Sequence, residues 1–302
     1  MKAMTVLGPI SPDRLGFTQP HEHLLCNGYW VSGVINSLLN DEDLAVEEAL
    51  LFKGAGGSSL VELTNIGLAR NPEALKRIAE RTGLNVIMGC GWYRQPYYPE
   101  EIDRRSTNDL AAEMIRDLTE GVGETGIKAG IIGEIGVNLD YMTAQEERVL
   151  RAAARAHKAT GAAISLHGEV SPIGLVQLDV LEEEGVDLRK VIVGHADSYL
   201  RLDYHEAIAE RGAYVQYDGI GRSHIYPDEK RVSMLVEMMG RGHVERLLLS
   251  TDRCWRSDLH AYGGLGYDHI LVNFIPMLKE AGISDEQIHI MTVENPKRVL
   301  PF

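Results

Sequence analysis

Along the 302-residue chain, short apolar runs alternate with longer segments whose apolar residues recur every three or four positions. The short runs are "FTQPHEHLL", "SSLVELTN", "LNVIMGCGWY", "AGIIGEIG", "AAISLHGE", "KVIVGHAD", "AYVQYDG" and "RLLLSTD". Each has the length of a strand. The segments between them, such as "NPEALKRIAERTG", "TAQEERVLRAAARAHKATG" and "YHEAIAERG", have helical spacing and close on Gly, as helices often do. Eight such βα units in a chain of this length predict an α/β fold, a (β/α)8 TIM barrel forming one domain over residues 1–302. A doubly wound sheet is the alternative, but no glycine-rich phosphate loop follows the first strand. "GAGGSS", Gly54 to Ser59, precedes a strand and reads as a turn. The opening "TVLGPISPDRLGF" predicts a short β-hairpin within residues 1–17 that covers one end of the barrel, with its turn at the Ser-Pro-Asp cluster.

Composition narrows the partners. The chain is 44% hydrophobic and 25% charged, with a formal net charge of −14, which argues against a nucleic-acid partner because such proteins usually present a basic face. The N-terminal "MKAMTVLGPISPDRLG" has no sustained apolar core, and no later run approaches the ~20 residues that span a bilayer. Cys26, Cys90 and Cys254 are far apart and lack CxxC spacing, so they read as reduced thiols. A cytoplasmic protein with no membrane partner is the expectation.

Barrel chemistry sits at the C-terminal ends of the strands, so those positions carry the functional reading. The first run offers His21 and His23, which share a face because residues i and i+2 of a strand do, while Glu22 points away. Strand four ends in Glu134, strand five in His167, strand six in His195 and strand eight in Asp252. A lone His or Asp at a strand end is usually a hydrogen-bonded structural residue. Six such residues in register, all of types that bind Zn2+ or Mn2+, point instead to a metal centre. The other histidines, His157, His205, His224, His243, His260, His269 and His289, fall on helices or loops and read as solvated or capping groups.

These residues and the segments "LGFTQPHEHL", "GHAD", "YDGIGRSHIYPDEKR", "LLLSTDRCWR", "GGLGYD" and "ENPKRVL" resemble the phosphotriesterase family of the amidohydrolase superfamily over nearly the whole chain. The likeness is strongest to its branch of bacterial phosphotriesterase-homology proteins. Gln19 stands where an aliphatic residue is more usual. Glu134 occupies the place where many members bridge their metals with a carboxylated lysine. Lys128 cannot substitute, since it lies six residues earlier, about 20 Å back along an extended strand.

The resemblance implies two divalent ions per chain, with Zn2+ expected and Mn2+ or Co2+ as substitutes. His21, His23 and Asp252 would hold the more buried ion, His167 and His195 the more exposed one, and Glu134 would bridge them. Two such cations set against Glu134, Asp252 and a shared hydroxide leave a charge of about +1, a site that keeps a nucleophile at neutral pH. Asp252 would be the catalytic residue, accepting the proton of the attacking water and passing it on. The implied activity is hydrolysis of a lactone or other carboxylic ester, with at most weak phosphotriesterase activity because of the glutamate bridge. A homodimer is also implied.

Substrate contacts are read from the loops. Tyr93, in "GCGWYRQPYYPE" beside Trp92 and Arg94, is placed to orient a carbonyl, with a packing role as the alternative. Arg222, His224, Arg253 and Arg256 lie on loops seven and eight, near Gly219 and Gly221. Of these, Arg222, Arg253 and Arg256 are expected to hold a phosphate or carboxylate on the substrate, unless they are simply solvated. Trp255 is expected to form an apolar wall. Two rivals share the ligand pattern: a TatD-like metal-dependent deoxyribonuclease, and a metal-loaded binding protein without catalysis.

Overall fold

The apolar runs form strands whose two faces are both buried, which is why they read as nearly continuous hydrophobic stretches. The computed structural model describes residues 1–302. An N-terminal antiparallel hairpin comprises β1 (Ala3–Thr5) and β2 (Gly8–Ile10). The barrel strands, all parallel, are β3 (Thr18–Glu22), β6 (Ser59–Glu62), β7 (Asn85–Cys90), β8 (Ile131–Gly136), β9 (Ile164–His167), β10 (Val191–Val193), β11 (Tyr214–Tyr217) and β12 (Leu247–Leu249). In the loop after β3, β4 (Cys26–Asn27) pairs with β5 (Leu38–Leu39). The ring closes between β12 and β3. There the Ser250 hydroxyl donates to the His21 carbonyl at 2.7 Å, and the Asp252 amide reaches the same oxygen at 3.2 Å. The chain therefore adopts the expected (β/α)8 barrel.

Alternation of side chains sorts the core into two layers. Val61, Ile87, Ile131, Ile192, Tyr214 and Leu248 fill the lumen with Ala3 and Leu15 from the N-terminal segment. Their strand neighbours Leu60, Val86, Ile132, Ile164, Val215 and Leu247 pack outward against the helices. Those helices are α2 (Glu42–Gly54), α3 (Pro72–Thr82), α4 (Thr107–Thr119), α5 (Ala144–Thr160), α6 (Ile173–Glu183), α7 (Leu202–Glu210) and α8 (Asp228–Gly240). They follow α1 (Tyr29–Ser32), a single turn in the β3 loop, and precede α9 (Ile275–Glu280), α10 (Asp285–His289) and α11 (Asn295–Val299). The predicted helix boundaries have local causes. Asn71 caps α3 by accepting from the Ala74 amide, and Gly83 ends it at φ 66°. Thr143 and Glu146 form a capping box on α5, and Gly161 closes it at φ 80°. None of these helices is long and apolar enough to cross a membrane.

The hairpin is present, but its turn is not at Ser-Pro-Asp. It falls at Val6 and Leu7, where the Thr5 hydroxyl bonds the Gly8 carbonyl at 2.7 Å and Gly8 takes φ 109°. Pro12–Arg14 instead forms a 3-10 turn leading into β3. Two apolar residues at a turn carry no local signal; only pairing of the flanking strands puts them there. The hairpin lies at the N-terminal end of the barrel, where the Val6 amide donates to the Val86 carbonyl. Lys128 lines a groove at that end with Thr5 and Gly8, away from Glu134.

Candidate metal centre

Asp218, at the exit of β11, organises two imidazoles at once. His21 Nδ1 lies 2.9 Å from its Oδ2, and His195 Nδ1 lies 2.8 Å from its Oδ1, all three residues being buried. Only acceptors face these Nδ1 atoms, so they carry the protons and each Nε2 is left as an inward-facing lone pair. His23 is fixed by Thr64 Oγ1, 2.8 Å from its Nδ1. Its Nε2 lies 3.2 Å from Asp252 Oδ1 and 3.5 Å from Glu134 Oε1. His21 Nε2 is buried without a hydrogen-bond partner, 3.4 Å from Glu134 Oε2 and 3.6 Å from Asp252 Oδ1. His167 Nδ1 faces both Glu134 Oε2, at 2.9 Å, and His195 Nε2, at 2.7 Å.

This arrangement fits a pair of cations. The ligand atoms of His21, His23 and Asp252 lie within 4.8 Å of one another, as do those of Glu134, His167 and His195. Burial opposes a charge on His21, yet Glu134, Asp252 and Asp218 together carry its pKa up to about 9. Burial likewise favours a neutral Glu134, but His167 and His21 hold its carboxyl well below the usual range. The pocket thus demands positive charge between lone pairs and carboxylates, which divalent ions supply. Asp218 belongs to a third such group with His21 and His195. Its oxygens are already occupied by both Nδ1 protons, the His195 amide at 3.0 Å and Gln216 Nε2 at 2.8 Å, so it orients ligands.

Two ligand-bearing loops hold left-handed backbone at residues other than glycine: His195 at φ 55° and Asp252 at φ 46°. Such conformations persist only where the surroundings impose them. At Asp252 the imposing group is Glu22, the residue between the paired histidines. Its carboxylate lies 2.7 Å from Ser250 Oγ and accepts from the Thr251 amide at 2.8 Å and the Arg253 amide at 3.0 Å. Glu22 points away from the ligand face, as strand alternation requires, and there pins the chain leaving β12.

A cavity of about 210 Å³ opens over the cluster. Tyr93 and Trp255 lie on its wall, and the Tyr93 hydroxyl is 3.3 Å from His167 Nε2. Arg222 is also on the wall but is committed: its Nη1 lies 2.8 Å from Asp252 Oδ2, and its Nη2 contacts the Asp252 carbonyl and Cys254 Sγ. Arg253 and Arg256 do not border the cavity, contrary to the expectation for them. Arg253 is 2% exposed and donates to the carbonyls of Gly266 at 3.0 Å and Ile220 at 3.3 Å. Arg256 Nε donates to the Leu38 carbonyl at 2.7 Å, tying its loop to β5. Unpaired carbonyls in neighbouring loops capture both guanidiniums before they can reach the cavity.

The phosphotriesterase family model matches residues 1–300. The chain belongs to the phosphotriesterase family. It is 39% identical to the phosphotriesterase homology protein of Escherichia coli over 96% of this chain and 99% of that one. A crystal structure of the same E. coli protein, with phosphate in its active site, superposes at a TM-score of 0.92, covering 95% of this chain and 99% of that one. The N-acetyltaurine hydrolase of Homo sapiens is 34% identical, covering 100% of this chain and 98% of its own. The lactonase Lmo2620 of Listeria monocytogenes aligns at a TM-score of 0.95 and 26% identity, over 100% and 99% of the two chains. The family comprises binuclear metal-dependent hydrolases acting on small molecules, and its match over the chain displaces the TatD-like reading.

Within this phosphotriesterase-family barrel, sequence reasoning gave no site role to four residues that line or brace the site: Asp218, Thr64, Glu22 and Arg94. Asp218 was within reach, since "AYVQYDG" ends in a carboxylate in register with the other strand ends. Thr64 carries no such mark. Among the remaining histidines, three are buried rather than solvated. His205 bonds the Tyr217 hydroxyl at 2.8 Å and the Ala196 carbonyl at 2.9 Å, and burial pushes its pKa down to about 4. His157 caps α5 through the Ala162 carbonyl at 2.7 Å, and His269 pairs with Asp228 at 2.9 Å. Because Asp218 orients two rings, Asp218→Asn is expected to weaken metal affinity by about 10- to 100-fold, read by chelator competition. A change under about twofold would reject that role, being far below what orienting partners contribute.

Proposed function

We propose that this chain is a binuclear metal-dependent hydrolase of small carboxylic acyl compounds, a lactone or other carboxylic ester, with at most weak activity on neutral phosphotriesters. Residues 1–302 serve that site as one domain. His21, His23 and Asp252 would hold one ion and His167 and His195 the other, with Glu134 between them; Zn2+ is the expected metal. When bound, the ions supply Lewis-acid polarisation and lower the pKa of water. The chain's own groups do the rest. Asp252 presents Oδ1 to His21 and His23 while Arg222 holds Oδ2, and Arg222 keeps the carboxyl ionised against the effect of burial. In that ionised form Asp252 would accept the proton of the attacking water on Oδ2, in exchange for its Arg222 contact, and return it to the leaving group. The Tyr93 hydroxyl, beside His167, donates to the substrate carbonyl.

The observation that carries this reading is the cavity itself. Its volume of about 210 Å³ lies below the ~300–1,000 Å³ of drug-sized sites and suits a planar acyl group better than three ester arms around phosphorus. Hydrolysis of a lactone is therefore expected to exceed that of a paraoxon-like triester by at least about tenfold in kcat/KM, a difference of roughly 1.4 kcal/mol. The comparison is made on one Zn2+- or Mn2+-reconstituted preparation, with elemental analysis giving close to two ions per chain. A preference for the triester, or no metal uptake, would defeat the proposal. A second acyl reading, cleavage of a small amide, is favoured by the relatives named N-acetyltaurine hydrolase, which match along the full chain. N-Acetyltaurine in the same panel separates the two bonds.

A further inference from the structure

One cation on the cavity wall has no ion-pair partner. Arg222 is paired with Asp252, and Arg253 and Arg256 are turned into the protein. Arg94 lines the cavity, forms no salt bridge, and has a buried Nε without a hydrogen-bond acceptor. Its guanidinium sits 4.9 Å from the Tyr93 ring centroid and 5.5 Å from that of Tyr97. Stacking on aromatic faces holds the plane of the guanidinium while leaving its in-plane N–H groups free for a forked contact. Tyr93 in turn lies 4.7 Å, ring to ring, from His167. Arg94 is therefore one tyrosine away from a metal ligand, a separation that a small substrate spans.

We propose that Arg94 docks an anionic substituent, a carboxylate or sulfonate, on the substrate. The inference rests on the hydrolase reading above and deepens it: the substrate class becomes small acyl compounds that carry a negative charge remote from the scissile bond. A guanidinium at a partly buried wall without an acceptor is costly to leave unmatched. A forked, charge-assisted contact to two oxygens is the geometry it offers. Glu169 also lines the cavity without a salt bridge and draws on Arg94 from beyond ion-pair distance, an attraction weaker than the direct contact of a docked anion. The charge separates Arg94 from a packing role, because a packing arginine would be indifferent to substrate charge.

The test uses racemic γ-butyrolactones bearing a carboxylate on the β- or γ-carbon, each beside its carboxamide, on the metal-loaded full chain. For the wild type the better carboxylate is expected to show at least about a tenfold lower KM than its amide, with kcat little changed, the scale of a charge-assisted contact. Arg94→Gln should reduce that ratio to near one, Arg94→Lys should restore part of it, and Arg256→Ala, outside the cavity, should leave it intact. Equal KM values in the wild type, or a ratio that survives Arg94→Gln, would overturn the inference while leaving the hydrolase reading standing. If neither partner is hydrolysed, these lactones are not substrates, and binding then decides Arg94. Calorimetry with 3-oxocyclopentanecarboxylate and its carboxamide should show the same tenfold preference, lost in Arg94→Gln. Failure to prefer the acid would overturn the inference.

Discussion

Asp252→Asn is expected to lower kcat of the metal-loaded protein by at least about a thousandfold while the barrel stays folded. The change removes a negative charge and a proton acceptor together at a point where three side chains meet the carboxylate. Asp252 Oδ1 faces His23 Nε2 at 3.2 Å and His21 Nε2 at 3.6 Å, and Oδ2 faces Arg222 Nη1 at 2.8 Å. An amide keeps the shape but cannot take the proton, and its NH2 would confront either a ligand lone pair or the Arg222 guanidinium. The backbone need not move, because Glu22 fixes the neighbouring amides and the Asp252 amide bonds the His21 carbonyl independently of the side chain. Steady-state kinetics with circular dichroism and metal analysis on the same sample provides the check. Turnover near the wild-type rate would show that the proton goes elsewhere.

The second large effect is expected at Glu134. Glu134→Gln should reduce bound metal from about two ions per chain to about one and cut turnover by at least about a hundredfold, since a neutral amide supports two cations poorly. The asymmetry follows from the geometry. His21, His23 and Asp252 form a complete cluster without Glu134, whereas His167 and His195 have Glu134 as their only carboxylate in the second cluster. Glutamine should occupy the same place, because the Glu134 carbonyl is anchored by Asn65 Nδ2 at 2.6 Å and the strand is buried. Elemental analysis and titration with Zn2+ give the stoichiometry directly. Loss of both ions together, or of neither, would contradict a bridging carboxylate.

The amino-acid sequence alone pointed to the barrel and to six candidate ligands, and both readings have one origin. Strand alternation and the barrel's polarity dictate where a residue at a strand end points, so His21, His23, Glu134, His167, His195 and Asp252 could be placed by counting. The same logic reaches Asp218, which its position at the end of "YDG" marks as facing the centre. Its role as a shared acceptor appears only when β3, β10 and β11 are brought together. Loops obey no such period. Whether Arg222, Arg253, Arg256 or Arg94 faces the substrate depends on partners far away in sequence: the Gly266 and Ile220 carbonyls for Arg253, the Leu38 carbonyl for Arg256 and the Asp252 carboxylate for Arg222. Long flexible side chains follow the nearest unsatisfied acceptor. That acceptor is created by the packing of separate loops, so only the tertiary structure could decide which arginine was left free.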